Sequence, residues 1–376
     1  MVRRTFAGKK STGRKIMALC LSAVLAAGAV MAAGCGSSKK DQTETSGNSE
    51  QGSDNSITVI NYGEYLDPDL LQEFEQETGI KVKYEEATTP EEMYSKYKSG
   101  AINYDLVCTS EYMVERLMQE DDLRTIDWSG MEYINNIGED YWEMCTSFDP
   151  TRSYAMPYFW GTVGLLYNTE MVDDEIDSWD VLFNGEYSGE IIMQNSVRDA
   201  FMVAEKYLGY SLNTTDTGEI NKAFQLLIDQ KKDVEAYFVD EVREEMVAEN
   251  AAIAVCYSGE AYLANEYNEN LTFVVPKEGS NLWVDCWVMP KSGKNPEGAQ
   301  KFLDFLNRED VAMTNFEYVY YPTPNETVME SLDEETKNDP LVFPTKEAYE
   351  KCEVYRQLDD KTTALYNKLW KELKSK

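Results

Sequence analysis

The chain has 376 residues, with 35 Lys+Arg, 68 Asp+Glu and no histidine, a length suited to two domains. Without histidine, Ser-His-Asp and Cys-His catalysis and most zinc sites are excluded. After Gly34, 29 basic residues face 68 acidic ones, a balance of −39; this rules against nucleic acid, whose phosphates need clustered Lys and Arg, and favours a cationic ligand, although solubility alone accounts for acidity of this kind.

Six basic residues in the first fifteen positions precede an apolar run over 16–33 that ends in "MAAGC", a secretory signal pattern. The small residues Ala32, Ala33 and Gly34 before Cys35 resemble the lipobox of bacterial lipoproteins, which implies a signal peptide over 1–34 and a lipidated cysteine at Cys35. Residues 36–56 contain no large apolar residue and read as a flexible tether, so a globular body is expected outside the cell membrane, anchored to its outer face. The body carries five cysteines (Cys108, Cys145, Cys256, Cys286 and Cys352), an odd number without a CxxC motif, and these read as buried free thiols.

The body opens with the strand "ITVINY" (57–62). A helix follows in "DPDLLQEFEQETG", with Asp67 as cap, Pro68 in the first turn and Gly79 as stop. The strand "IKVKYEE", a short helix over 90–98 and the strand "YDLVCT" complete β-α-β-α-β, the start of an open α/β sheet. Further on come the strand "GEIIMQ" (189–194), helices over 198–209 and 219–230, the strand "AAIAVCY" (251–257), and the strands "LTFVVP" and "LWVDCWVMP". Helices over 296–307 and about 358–374 close the chain, and there is no Gly-rich phosphate loop.

Ligands of open α/β sheets sit beyond the carboxyl ends of the strands. The residues expected there are Tyr62, Glu64 and Tyr65; Ser110 and Tyr112; Asn195, Ser196 and Asp199; and Tyr257, Ser258 and Glu260, with Arg198 the one cation among them. In "NLWVDCWVMP" strand alternation puts Trp283, Asp285 and Trp287 on one face. Aromatic faces attract ammonium groups, carboxylates add charge-assisted hydrogen bonds, and rings cover methylenes. Together these describe a box for a slender diamine or polyamine.

From Ile57 onward the chain resembles the bacterial spermidine/putrescine-binding proteins of polyamine ABC transporters. The resemblance is carried, in order, by "NYGEYLDPDLLQEFEQETGIKV", "YDLVCTSEYMVERL", "YAMPYFWGTVGLLYN", "RDAFMVAEKYLGYSLNTTD", "VPKEGSNLWVDCWVMP" and "YYPTPN". It implies a two-lobed, periplasmic-binding-protein-like α/β fold (type II) with the ligand cleft between the lobes. Chain crossings fall near 160–165, 282–285 and 330. One lobe would comprise 57–162 plus 284–329, the other 163–283 plus 330–376. It also implies that Tyr62, Glu64, Tyr65, Ser110, Tyr112, Ser196, Asp199, Tyr257, Trp283, Asp285 and Tyr321 line the site, with Asp285 as main amine anchor. Tyr62 and Tyr257 stand where the family has Trp, Asp199 where it has Glu, and Ser196 where spermidine binders often have a second Asp. A glutamine common near the family's C-terminus has no clear counterpart; Tyr355 or Arg356 lies nearby.

The implied function is capture of spermidine or putrescine and delivery to permease subunits, without enzymatic chemistry or cofactor. The alternatives are a receptor of the same fold for a sugar or an iron complex, and a secreted carboxylate-pair hydrolase, for which no motif speaks. Trp160 reads as hinge or core, and "DEVREEM" (240–246) as a solvated helix face.

Overall fold

The structure, a computed structural model, describes residues 55–376; the signal pattern, Cys35 and most of the tether lie outside the described residues. Strands β1 (Ser56–Tyr62), β2 (Lys81–Ala87) and β3 (Leu106–Ser110) pair in parallel. They are joined through helices α1 (Pro68–Thr78) and α2 (Pro90–Lys98), and β3 runs into α3 (Glu111–Gln119). The start of α1 forms as its residues dictate. Asp67 accepts from the Asp69 amide at 2.9 Å, Pro68 occupies the first turn, and Gly79 ends the helix at φ 69°, a conformation that glycine adopts without steric cost.

After α4 (Glu139–Cys145) comes β4 (Ala155–Asn168), a fourteen-residue strand buried throughout. The sequence reading did not mark it as a strand. Pro157, Gly161 and Gly164 interrupt its apolar run, and a strand covered on both faces has no polar alternation to betray it. Strands β5 (Ile191–Gln194), β6 (Val234–Phe238), β7 (Ile253–Tyr257) and β8 (Leu271–Val274) follow, with α5 (Val197–Tyr207), α6 (Thr217–Gln230), α7 (Val242–Val247) and α8 (Ser258–Tyr267) between them. Strand β9 (Leu282–Val288), α9 (Pro296–Leu306), α10 (Glu309–Val319) and a C-terminal helix, Asp360–Ser375, complete the order of main elements.

Among the described residues the strands run β2-β1-β3-β9-β4-β7-β5-β6, with β8 also on β4. The two central strands are antiparallel to their neighbours and carry the connection between halves. Strand β4 pairs with β9 up to Thr162 and with β7 from Val163. This change of partner falls within the crossing expected at 160–165, and β9 begins opposite the same point, with Leu282 against Thr162. Alternation along β9 is as expected. Trp283 and Trp287 enter one core cluster, Val284, Cys286 and Val288 another. Trp287, however, belongs wholly to the core, edge-on to Tyr158 at 5.2 Å. Cys145 and Cys286 approach to 3.8 Å, and all five body cysteines are free.

Candidate functional site

Strand ends converge on a cavity of about 340 Å³, within the range of small-molecule sites. All eleven residues implied by the resemblance line it: Tyr62, Glu64, Tyr65, Ser110, Tyr112, Ser196, Asp199, Tyr257, Trp283, Asp285 and Tyr321; of the other strand-end positions Arg198 and Glu260 line it and Asn195 and Ser258 do not. Tyr62, Ser110, Tyr257, Trp283 and Asp285 arrive by the register of their strands, and the others by the loops and helices that follow strand ends or α10. Ser110 at the end of β3 lies opposite Asp285, and Trp283 lies opposite Gly161 on β4.

Two carboxylates anchor the interior. Asp285 is 8% exposed and accepts from the Tyr65 hydroxyl at 3.0 Å. Burial pushes its carboxyl up to about 7, and the Tyr65 hydrogen bond pulls in the opposite direction. Asp199, 3% exposed, accepts from the hydroxyls of Tyr257 at 2.8 Å and Tyr355 at 3.0 Å. Neither acid forms an ion pair among the described residues, so each is held in place by neutral donors that leave its charge uncompensated. A buried acid of this kind costs stability unless a cation meets it.

Rings surround the carboxylates. Tyr65 packs against Tyr62 at 5.6 Å and Tyr321 at 5.7 Å, and Trp283 against Tyr321 at 5.1 Å and Tyr257 at 6.1 Å. Tyr112 meets Tyr355 edge-on at 5.9 Å. A scaffold fixes these rings: Tyr158 donates to the Tyr65 carbonyl at 2.7 Å and accepts from Asn315 at 2.8 Å. The Trp283 Nε1 and Ser110 Oγ atoms are buried without a hydrogen-bond partner among the described residues. Ser110 is the first residue before α3, and its hydroxyl makes no cap to the helix. The backbone is strained at Glu64 (φ 52°), which borders the cavity, a sign of a position over-determined by its surroundings.

Other residues escaped the sequence reading or, like Tyr355, were placed by it only as one of two neighbours. Tyr355 proves to be the second tyrosine on Asp199, supplied from 156 positions away. Glu111 lies beneath Asp285 and accepts from the Val284 amide at 3.2 Å; burial raises its carboxyl to about 8. "DEVREEM" is not simply a solvated face, because Asp240 and Arg243 line the cavity with Glu260. Glu260 stood at a strand end and was legible there; Arg243 carried no local signal. Arg198 donates to the carbonyls of Leu212 and Arg356 and to Asn213, and its guanidinium lies 4.3 Å from the Tyr355 ring centre, so it braces the wall.

Two glycines make room for the rings. A Cβ on Gly161 would stand 2.6 Å from Trp283 Cζ2, and one on Gly259 would meet the Tyr321 ring at 2.4 Å. Gly161→Ala is therefore expected to destabilise the protein by about 1–3 kcal/mol through overpacking. Gly63→Ala, whose Cβ would meet nothing within 4 Å, should stay within about 0.5 kcal/mol of wild type. Urea unfolding of both variants checks this.

The profile described as bacterial extracellular solute-binding protein matches residues 69–345. The chain belongs to this family. The solute-binding protein is 34% identical over 328 residues to the spermidine/putrescine-binding periplasmic protein of Salmonella typhimurium, covering 86% of this chain and 93% of that one. It is 26% identical over 369 residues to a putrescine-binding periplasmic protein of Escherichia coli, covering 93% and 96%. Among solved structures it is similar to a spermidine/putrescine ABC transporter protein from Listeria monocytogenes, at 37% identity and a TM-score of 0.81, covering 85% of this chain and 99% of that one. A spermidine/putrescine ABC transporter substrate-binding protein from Streptococcus pneumoniae gives 40% identity and a TM-score of 0.73 over the same shares. The solute-binding protein thus has the two-lobed fold expected of it, with β4 and β9 as the shared central strands.

Proposed function

We propose that this solute-binding protein captures a protonated polyamine, spermidine or putrescine, between its lobes and hands it to the permease of an ABC importer. The observation that carries this reading is the pair Asp285 and Asp199. Both are buried, oriented by tyrosine hydroxyls and without an ion pair among the described residues, in a cavity walled by aromatic rings. Ammonium groups would meet the acids, while Tyr65, Trp283, Tyr257 and Tyr321 would cover the methylenes, each buried CH₂ contributing about 0.8 kcal/mol. The names of the relatives support the same ligand class.

In this reading Tyr62, Glu64, Ser110, Tyr112 and Ser196 complete the ligand shell. The lobes are 57–162 plus 284–329 and 163–283 plus 330–376, closing about the β4 and β9 crossings. Cys35 would carry the lipid that holds the protein at the outer face of the membrane, beside the permease. No catalytic role is assigned. Calorimetric titration of residues 57–376 with putrescine, spermidine and spermine at two salt concentrations tests the ligand class. Saturable binding that weakens with salt is expected; no heat with any of the three sinks the polyamine reading.

A further inference from the structure

The cavity has a third acidic station, and a protein cation already stands in it. Arg243 on α7 reaches Glu64 at 3.2 Å and Glu260 at 3.8 Å. Glu64 follows β1 and Glu260 opens α8, so the guanidinium bridges elements from the two sides of the central strands. Its own side chain is 21% exposed and that of Glu260 14%, whereas Glu64 is 74% exposed. The screened Glu64 contact is therefore the weaker attachment, and Glu260 is the acid whose charge Arg243 chiefly answers. Asp240 borders the same cavity. A guanidinium stays charged at every physiological pH. By contrast, among the described residues the side-chain donors to Asp285 and Asp199 are tyrosine hydroxyls.

The stations thus divide into two acids without an ion pair among the described residues and one group, Glu64, Glu244 and Glu260, on which Arg243 already sits. We propose that Arg243 is a specificity-determining residue: it fills the outer ammonium station, so the ligand is held through Asp285 and Asp199 and a diamine is preferred over a triamine. This rests on the polyamine reading above. A third ammonium would have to share Glu260 with the guanidinium or displace it, and a like charge placed against the wrong ligand is an efficient way to discriminate. A diamine, with two ammonium groups, finds both of its acids free.

The test is a titration of the purified full-length protein and its Arg243→Gln and Arg243→Lys variants with putrescine and with spermidine. The wild type should bind putrescine more tightly. Arg243→Gln should raise the spermidine-to-putrescine affinity ratio by about tenfold, the equivalent of 1.4 kcal/mol. Arg243→Lys keeps the positive charge and should stay on the diamine side. If the ratio does not move in Arg243→Gln, or moves as far in Arg243→Lys, the assignment is overturned while the polyamine reading stands. If neither amine binds the wild type, both fall together.

Discussion

Asp285→Ala should weaken polyamine binding by about a hundredfold or more. Removing one member of a buried, hydrogen-bonded charge pair costs roughly 2–5 kcal/mol, because the surviving charge is left in a poorly solvated site. Asp285 meets that condition: it is 8% exposed, and its side-chain donor among the described residues is the neutral Tyr65. The loss should appear mainly in the dissociation rate. Stability distinguishes this effect from misfolding. A buried carboxylate without a cation is a burden on the ligand-free protein, so the variant should melt no lower than wild type at neutral pH. Affinity within threefold of wild type in a folded Asp285→Ala protein would remove Asp285 from the anchor position.

The second large effect is on pH. The Asp285 carboxyl is raised to about 7 by burial, with the Tyr65 hydrogen bond acting against it. Below neutrality the ligand-free protein therefore holds a proton on this acid, whereas an ammonium ligand requires the carboxylate. Binding must release that proton. Affinity should fall as pH drops below about 7, by up to tenfold per unit for each proton released, and level off above it. The ligand stays charged throughout, since alkyl ammonium groups titrate near 10. Stability of the ligand-free protein runs the opposite way. An acid whose folded value is raised binds more protons folded than unfolded, so its contribution grows as pH falls from 7 toward 4 and is lost as pH rises through 7. Titrations from pH 5 to 8 in buffers of different ionisation enthalpy measure the released protons. A flat affinity profile with no proton release would contradict the assignment of Asp285.

The strand-end positions are legible in the sequence because short apolar runs mark strands, and in an open sheet the residues just past each strand face the ligand. That reasoning reaches Tyr62, Ser110, Asp199 and Tyr257, and alternation in β9 puts Trp283 and Asp285 on one face. Strand β4 was not legible, since burial on both faces removes the alternation that identifies a strand. The sequence by itself therefore determined the strand-end residues and the residue types that would meet an amine, because strand period and composition are local properties. Only the tertiary structure decided which acids are still free to meet one. Tyr355 comes to Asp199 across 156 positions and Arg243 to Glu64 across 179. Local spacing carries no information about such pairings, because they are set by the packing of distant elements around a shared sheet. In "DEVREEM" the arginine was one charge in a polar run; placed between Glu64 and Glu260, it becomes the cation that occupies the third station.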